Sequence, residues 1–269
     1  DHELLSGTVG IGHTRWSTHG PPTDENAHPH QDCTGDVAVV HNGIIENYQT
    51  LRDDLTEAGH TFTSDTDTEV VPHLIEDALN RGAAPEEAFR TAIGQLDGSY
   101  AIAAVIDGTD ALFAARNDSP LVIGVGLDQE DSGGVSVADG PYFIASDVPA
   151  FREYTARVIY LEDGEFARLD DGLTVTDADG TEVEKAVETI EWDAEETGKS
   201  GYDHYMLKEI NEQPRALRQC LRGRVDELGS SVDIEAMGDL SPTGIQFVAC
   251  GTSYHAALYG ARLFDQAGI

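Results

Sequence analysis

The sequence has 269 residues, 40% of them apolar, with 50 acidic side chains against 16 basic ones and a formal charge of −34. An acidic excess this large and this dispersed repels phosphates and excludes nucleic acid as a partner, while the interleaved apolar pattern excludes a disordered acidic tail. No apolar run reaches the length of a membrane span and no signal peptide opens the chain. We therefore expect a cytoplasmic protein with no membrane partner, its carboxylate-coated surface suited to the concentrated salt of a halophile.

In chain order, TVGIGHTR (8–15) and DVAVVHNG (36–43) read as short β-rich runs that end in polar residues. Leu51 and Leu55, one turn apart, predict a helix that Gly59 stops. In SDTDTEVVPHLIEDALNRG, Val70, Val71, Leu74, Ile75, Ala78 and Leu79 share a helical face; Thr66 and Glu69 suggest a capping box, with Pro72 in mild conflict. A further helix is expected from about Pro85 to Leu96.

The period then changes to strands: GSYAIAAVID, ALFAAR, PLVIGVG, PYFIAS, RVIYLEDGEFARL and LTVTDADGTEV. Asp-Gly pairs at 163–164, 171–172 and 179–180 are hairpin signals, and LDQEDSGGVSVADG (127–140) reads as an acidic surface insertion. Helices bracketed by antiparallel strands predict an α+β sandwich. From about Ile190 the chain turns polar and linker-like. A helix follows that Pro214 is expected to interrupt, and Arg215, Arg218, Arg222 and Arg224 fit its solvated face. The last segment, GIQFVACGTSYHAALYGARLFDQAGI, reads as a buried strand, a turn and a helix. One strand and one helix cannot make a domain, so a truncation is expected there.

Several groups carry possible chemistry. Backbone amides at the helix start in ACGTSY, with Gly251 and the hydroxyls of Thr252 and Ser253, suit a phosphate, although an ordinary β–α turn explains the loop equally well. DTDTE (65–69), with Glu76 at the twelfth position, has the carboxylate spacing of a calcium loop, but Val70 stands where glycine is needed. One of its acids could instead meet a ligand's ammonium, and capping explains Asp67 less well than it explains Thr66 and Glu69. Histidines 13, 19, 28, 30 and 41 form no metal-ligand grouping and read as mostly structural. Cysteines 33, 220 and 250 show no CxxC spacing. No metal centre is expected.

GHTRWSTHG (12–20) and HNG (41–43) remain. Arg15 can hold a carboxylate bidentately, and the Asn42 amide with the Gly43 N–H could form an oxyanion hole. A carboxylate clamp, oxyanion donors and an acid for an amine suit an α-amino acid whose side-chain amide is hydrolysed. A nucleophile is missing, because none of the cysteines sits in a plausible elbow.

In this order, GHTRWSTHG, NAHPH, HNGIIEN and SDTDTEV resemble the glutaminase half of the class II amidotransferases, whose nucleophile is an N-terminal cysteine with its own α-amine as base. ACGTSY, after a segment resembling HYMLKEINEQP, narrows the resemblance to the glutamine–fructose-6-phosphate aminotransferase (isomerizing) family, also called glucosamine-6-phosphate synthases. The resemblance implies that Arg15 binds the glutamine carboxylate and Asp67 its α-amine. It implies that Trp16, Thr18 and His19 close over glutamine, that His28 supports them, and that Asn42 and Gly43 stabilise the tetrahedral intermediate. Cys250, Gly251, Thr252 and Ser253 would begin a sugar-phosphate site.

The implied fold is a four-layer αββα sandwich (1–190), an interdomain linker with helices (191–240) and the start of a SIS sugar-isomerase domain (241–269). The implied reaction makes glucosamine 6-phosphate and glutamate from fructose 6-phosphate and glutamine, in a homodimer needing no cofactor. The family opens with MCGI whereas this chain opens at Asp1, so an N-terminal truncation is expected too. Cys33 falls in a small insertion. Two other readings compete: a non-catalytic sensor of glutamine or sugar phosphate, and another class II member such as the phosphoribosyl-pyrophosphate amidotransferase. Against the second, ACGTSY lacks the acidic run of a phosphoribosyltransferase loop.

Overall fold

The computed structural model describes residues 7–15, 19–126, 141–190, 202–221, 225–226, 231–232 and 245–267. The chain divides into two compact units, Asp1–Gly198 and Lys199–Ile269. In the first, β1 (His30–Gln31) and β2 (Val37–Ile45) precede three helices, α1 (Tyr48–Glu57), α2 (Val70–Asn80) and α3 (Pro85–Ile93). Seven described strands follow: β3 (Gly98–Ile106), β4 (Leu112–Asn117), β5 (Val122–Val125), β6 (Tyr142–Ala145), β7 (Arg157–Tyr160), β8 (Phe166–Leu169) and β9 (Leu173–Thr176). A short β10 (Glu188–Thr189) completes the set.

The strands form two antiparallel sheets, ordered β1-β2-β3-β4-β8-β9 and β10-β7-β5-β6. The helices cover one face of the first sheet. There Val70, Val71 and Ile75 of α2 and Phe89 of α3 meet Val37, Val39 and Ile45 of β2 and Ile102 and Ala104 of β3. Burying each such side chain is worth roughly 1.5–3 kcal/mol, so this layer anchors the fold. The first sheet's other face, with small residues Ala101, Ala114 and Ala167, packs on Ile123, Val125 and Ile159 of the second sheet. The second sheet's far face buries Val122 and Val158 under Val148 and Phe151, at a 3-10 turn (Val148–Ala150). This is the α+β sandwich that the sequence predicts, although among the described residues the second sheet's far face carries a 3-10 turn rather than the outer helix layer of a four-layer αββα arrangement.

Three local expectations fail for physical reasons. Residues 8–15 join no ladder among the described residues, although their composition is β-rich. The capping box is not formed: Glu69 accepts from the N–H and hydroxyl groups of Thr63 and Ser64, and the Thr66 hydroxyl bonds Ser64 and His30 instead. The Asp-Gly pair at 163–164 makes no hairpin, because β7 and β8 lie in different sheets and the chain crosses between them there. Arg116 fastens that crossing, donating to Leu161 O at 2.8 Å and to Asp163 Oδ1 at 2.6 Å, while Gly164 N–H donates to Arg116 O. Only the pair at 171–172 closes a hairpin, joining β8 to β9; at 179–180 a turn brings Thr176 opposite Glu182.

In the second unit, α4 (Tyr205–Leu221) runs through Pro214 without the expected break. Proline removes one hydrogen bond, to the Ile210 carbonyl, and strong helix formers on both sides carry the helix past it. Two-residue strands β11 (Val225–Asp226) and β12 (Ser231–Val232) pair with each other. Residues 245–250 precede α5 (Gly251–Ala267) and join no sheet among the described residues, so the expected strand is not formed there. The insertion at 127–140, Arg222 and Arg224 lie outside the described residues.

Candidate active site

A cavity of about 240 Å³ opens at the end of β2, lined by His13, Arg15, His19, His28, Asn42 and Asp67, with Gly43, His41 and Thr66 to Thr68 completing the wall. The structure thus brings together six residues that the sequence singled out: Arg15, His19, His28, Asn42, Gly43 and Asp67. Trp16 and Thr18 lie outside the described residues.

Asp67 is 3% exposed and sits in the loop leading into α2. Its Oδ2 accepts the Ile45 N–H at 2.8 Å, and its Oδ1 lies 3.8 Å from His19 Nδ1. One carboxylate oxygen is therefore committed to the end of β2 while the other faces the cavity. The calcium reading fails for the same reason. Asp67 points to β2, Glu69 to the amides of Thr63 and Ser64, and Glu76 to Cys33 and His60, so these acids do not converge.

Arg15 is held by carbonyls, donating to Pro21 O at 3.0 Å, to Gly20 O at 3.2 Å and to His19 O. These bonds hold the guanidinium at the cavity wall. Asn42 Oδ1 is engaged with His13 Nε2 at 2.8 Å, which leaves the Nδ2 protons as the donors Asn42 can offer. Gly43 has φ +131°, and a Cβ there would lie 2.0 Å from Ser99 O, so no other residue fits without moving the backbone.

Histidines build the cavity wall. The His13 and His28 rings stack at 4.3 Å, and His28 Nδ1 accepts the His41 N–H at 3.2 Å. His41 Nδ1 pairs with Thr68 Oγ1 at 2.8 Å, while its Nε2 is buried with no hydrogen-bond partner. Burial is the main force lowering the His28 pKa to about 3, reinforced by His13 and His30. Burial likewise lowers His41 to about 4, against the pull of Asp67. Both rings are neutral near pH 7, and Arg15 and Asp67 bring a guanidinium and a carboxyl group to the same wall. For Glu69, burial pushes the carboxyl up. The neighbouring His73 and the hydrogen bonds from Thr63 and Ser64 outweigh it and hold the value at about 2.

Sequence reasoning passed over His13, His41 and Thr68. The available signal was His41, a polar residue on the face where Val37, Val39 and Ile45 point into the helices. In the second unit, Cys250, Gly251 and Ser253 are exposed at the start of α5, where Gly251 has φ +57° and Thr252 follows it in the first turn.

Residues 13–129 match the family described as glutamine amidotransferase domain. Over 96% of its length the chain is 53% identical to the glutamine–fructose-6-phosphate aminotransferase (isomerizing) of Halobacterium salinarum. Over 97% it is 52% identical to the protein of that name from Methanothermobacter thermautotrophicus. It spans 42% of the length of each. Among solved structures, a glutamine phosphoribosylpyrophosphate amidotransferase from B. subtilis aligns with 62% of this chain and 34% of its own, at 24% identity and a TM-score of 0.47. The cavity lies within the stretch that matches the amidotransferase domain. No helix among the described residues is long and apolar enough to cross a membrane.

Proposed function

We propose that this cavity binds glutamine, and that the protein to which the chain contributes passes glutamine nitrogen to fructose 6-phosphate, yielding glucosamine 6-phosphate and glutamate. The observation that carries this reading is the placing of a guanidinium, Arg15, and a carboxyl group, Asp67, in the cavity that also holds Asn42 and Gly43. Arg15 takes the α-carboxylate. The Oδ1 of Asp67, beside His19, takes the α-ammonium, while Asn42 Nδ2 and the Gly43 N–H face the side-chain carbonyl. Trp16, Thr18 and His19 close over the ligand, and His28 supports that loop.

Hydrolysis needs a nucleophile to attack the side-chain amide carbon. The tetrahedral oxyanion is held by Asn42 and Gly43, ammonia leaves, and water cleaves the resulting acyl-enzyme to glutamate. In the class II mechanism that nucleophile is an N-terminal cysteine, which is not among these 269 residues. Cys33 does not stand in for it, since its sulfur faces His60 and His73. The ammonia then adds to the C2 carbonyl of fructose 6-phosphate with loss of water, and the imine isomerises to the aldose. The sugar phosphate is held at Cys250 to Ser253, and the full protein works as a homodimer.

Calorimetric titration of the chain with L-glutamine tests the first half. Saturable binding that D-glutamine does not reproduce supports the reading, and absence of binding sinks it. Assay of the full-length protein for ammonia and glucosamine 6-phosphate tests the second half. Glutamine binding without release of ammonia would instead favour a sensor.

A further inference from the structure

A second cluster of chemically capable side chains lies outside the glutamine cavity. Cys33 is on the turn between β1 and β2, His60 follows α1, and His73 and Glu76 are one turn apart on α2. Cys33 Sγ lies 3.7 Å from His60 Nδ1 and 3.6 Å from His73 Nδ1. Glu76 Oε2 lies 2.9 Å from His60 Nδ1 and 3.3 Å from His73 Nδ1. All four ligand atoms fall within 4.8 Å of one another.

Three of these four separations are close to the edges of a coordination tetrahedron, and the fourth, His60 to Glu76 at 2.9 Å, is shorter and opens by about half an ångström when an ion enters. With zinc–sulfur near 2.3 Å and zinc–nitrogen or zinc–oxygen near 2.0–2.1 Å at tetrahedral angles, the sulfur–nitrogen edges are about 3.6 Å and the nitrogen–oxygen edges about 3.4 Å. A network of hydrogen bonds uses the cluster less fully. Each imidazole Nδ1 faces both the sulfur and the carboxylate, yet carries at most one proton to give. A central cation uses the lone pairs of all four groups together.

A second observation points the same way. The opposite ring nitrogen of His73, Nε2, is fully buried without a hydrogen bond, 3.9 Å from Glu69 Oε1. A histidine that binds metal through Nδ1 carries its proton on Nε2, aimed at such an acceptor, and an outer carboxylate of this kind fixes the ring's orientation. An entry path exists too, because Cys33 is exposed and lines, with Asp32, Thr61, Thr63 and Glu69, an open cavity of about 430 Å³.

We propose that Cys33, His60, His73 and Glu76 bind one thiolate-accepting divalent cation of the zinc class. Four protein ligands leave no open position for substrate, so the ion is structural. It clamps the β1–β2 turn and the residues after α1 onto α2, directly behind the loop that carries Asp67. The sequence hid the set because its members are spaced 27, 13 and 3 residues apart and none belongs to the histidine group at 13–41.

The test uses the full chain, stripped with a chelator and titrated with Co²⁺ and then Zn²⁺. One equivalent of Co²⁺ should give the visible bands of a tetrahedral site and a thiolate-to-cobalt charge-transfer band, both bleached by Zn²⁺. Cys33→Ser should abolish the charge-transfer band, Cys250→Ser should leave it, and Glu76→Gln should weaken Co²⁺ binding at least tenfold. Zn²⁺ should also raise the melting temperature of the parent chain but not of Cys33→Ser. With 50 acidic residues, loose Co²⁺ binding at carboxylates is expected in any case, but it gives no charge-transfer band. A parent chain that is folded by circular dichroism and shows no such band overturns the proposal. A band that survives in Cys33→Ser does so as well.

Discussion

Asp67 Oδ2 accepts the backbone N–H of Ile45 at 2.8 Å, which ties the loop ahead of α2 to the last residue of β2. That single bond sets the position of the carboxylate's other oxygen in the cavity. Asp67→Asn should therefore separate structure from binding. An asparagine carbonyl can still accept the Ile45 N–H, so the fold should persist with an unchanged melting temperature. Loss of the charged hydrogen bond to an ammonium, about 1.5–3 kcal/mol, should weaken glutamine about 10- to 150-fold in a calorimetric titration. Undiminished affinity would remove Asp67 from the ammonium site.

Gly43→Ala and Gly59→Ala form an informative pair. Both glycines have positive φ, +131° and +104°, but an added Cβ meets Ser99 O at 2.0 Å in the first and nothing within 4 Å in the second. Gly59→Ala should cost only the backbone strain, about 1–3 kcal/mol. Gly43→Ala should cost clearly more, because β2 must also separate from β3. Denaturant midpoints of the two variants check this, and equal losses would mean that the close approach at Gly43 is not needed.

His28 and His41 make acid a specific stress. Their folded pKa values of about 3 and about 4 lie below the unfolded value near 6.5, so the unfolded chain binds more protons within that window. Their contribution is present above about pH 6.5 and is lost as pH falls towards the folded values. The imidazole carbon-bound proton resonances of both rings should stay at their neutral positions from pH 7 down to about pH 5. A midpoint near 6.5 for either ring would contradict its burial.

Salt should act as a stabiliser. With a formal charge of −34 and only three lysines, of which Lys185 already pairs with Glu165 at 2.9 Å and Lys208 with Glu212 at 4.0 Å, self-repulsion has few internal remedies. Screening shortens from about 30 Å at 0.01 M salt to about 3 Å at 1 M. The melting temperature should rise steadily over that range, and a flat profile would show that the surface charges do not act on stability.

How much of this was legible in the sequence depended on the reach of each signal. The helical face of α2 was readable because its apolar residues recur with the helix period, and β2 and β3 because of their composition and length. The site was readable in its charged and backbone parts, Arg15, Asp67, Asn42 and Gly43, where the resemblance and the chemistry agreed. Other features depended on long-range contact. Nothing near Glu69 reveals that its carboxylate serves Thr63 and Ser64 rather than a capping box. Likewise, Asp163-Gly164 has the local grammar of a hairpin, and only the placement of β8 beside β4 shows otherwise. The histidine wall was not legible, because five histidines without ligand spacing read as structural, and only the fold brings four of them, His13, His19, His28 and His41, to one cavity.

The crossing at 162–165 has a mechanical consequence. Arg116, at the end of a strand in one sheet, holds the segment that enters from the other, through Leu161 O, Asp163 and the Gly164 N–H. Parting the sheets requires untying this knot, which opens the alanine-lined inner face of the first sheet and the Ile123, Val125 and Ile159 face of the second to water at once. Residues on the two sheets should accordingly share one fate in amide exchange, protected or released together, so that the fold carrying the cavity fails as one cooperative body rather than layer by layer.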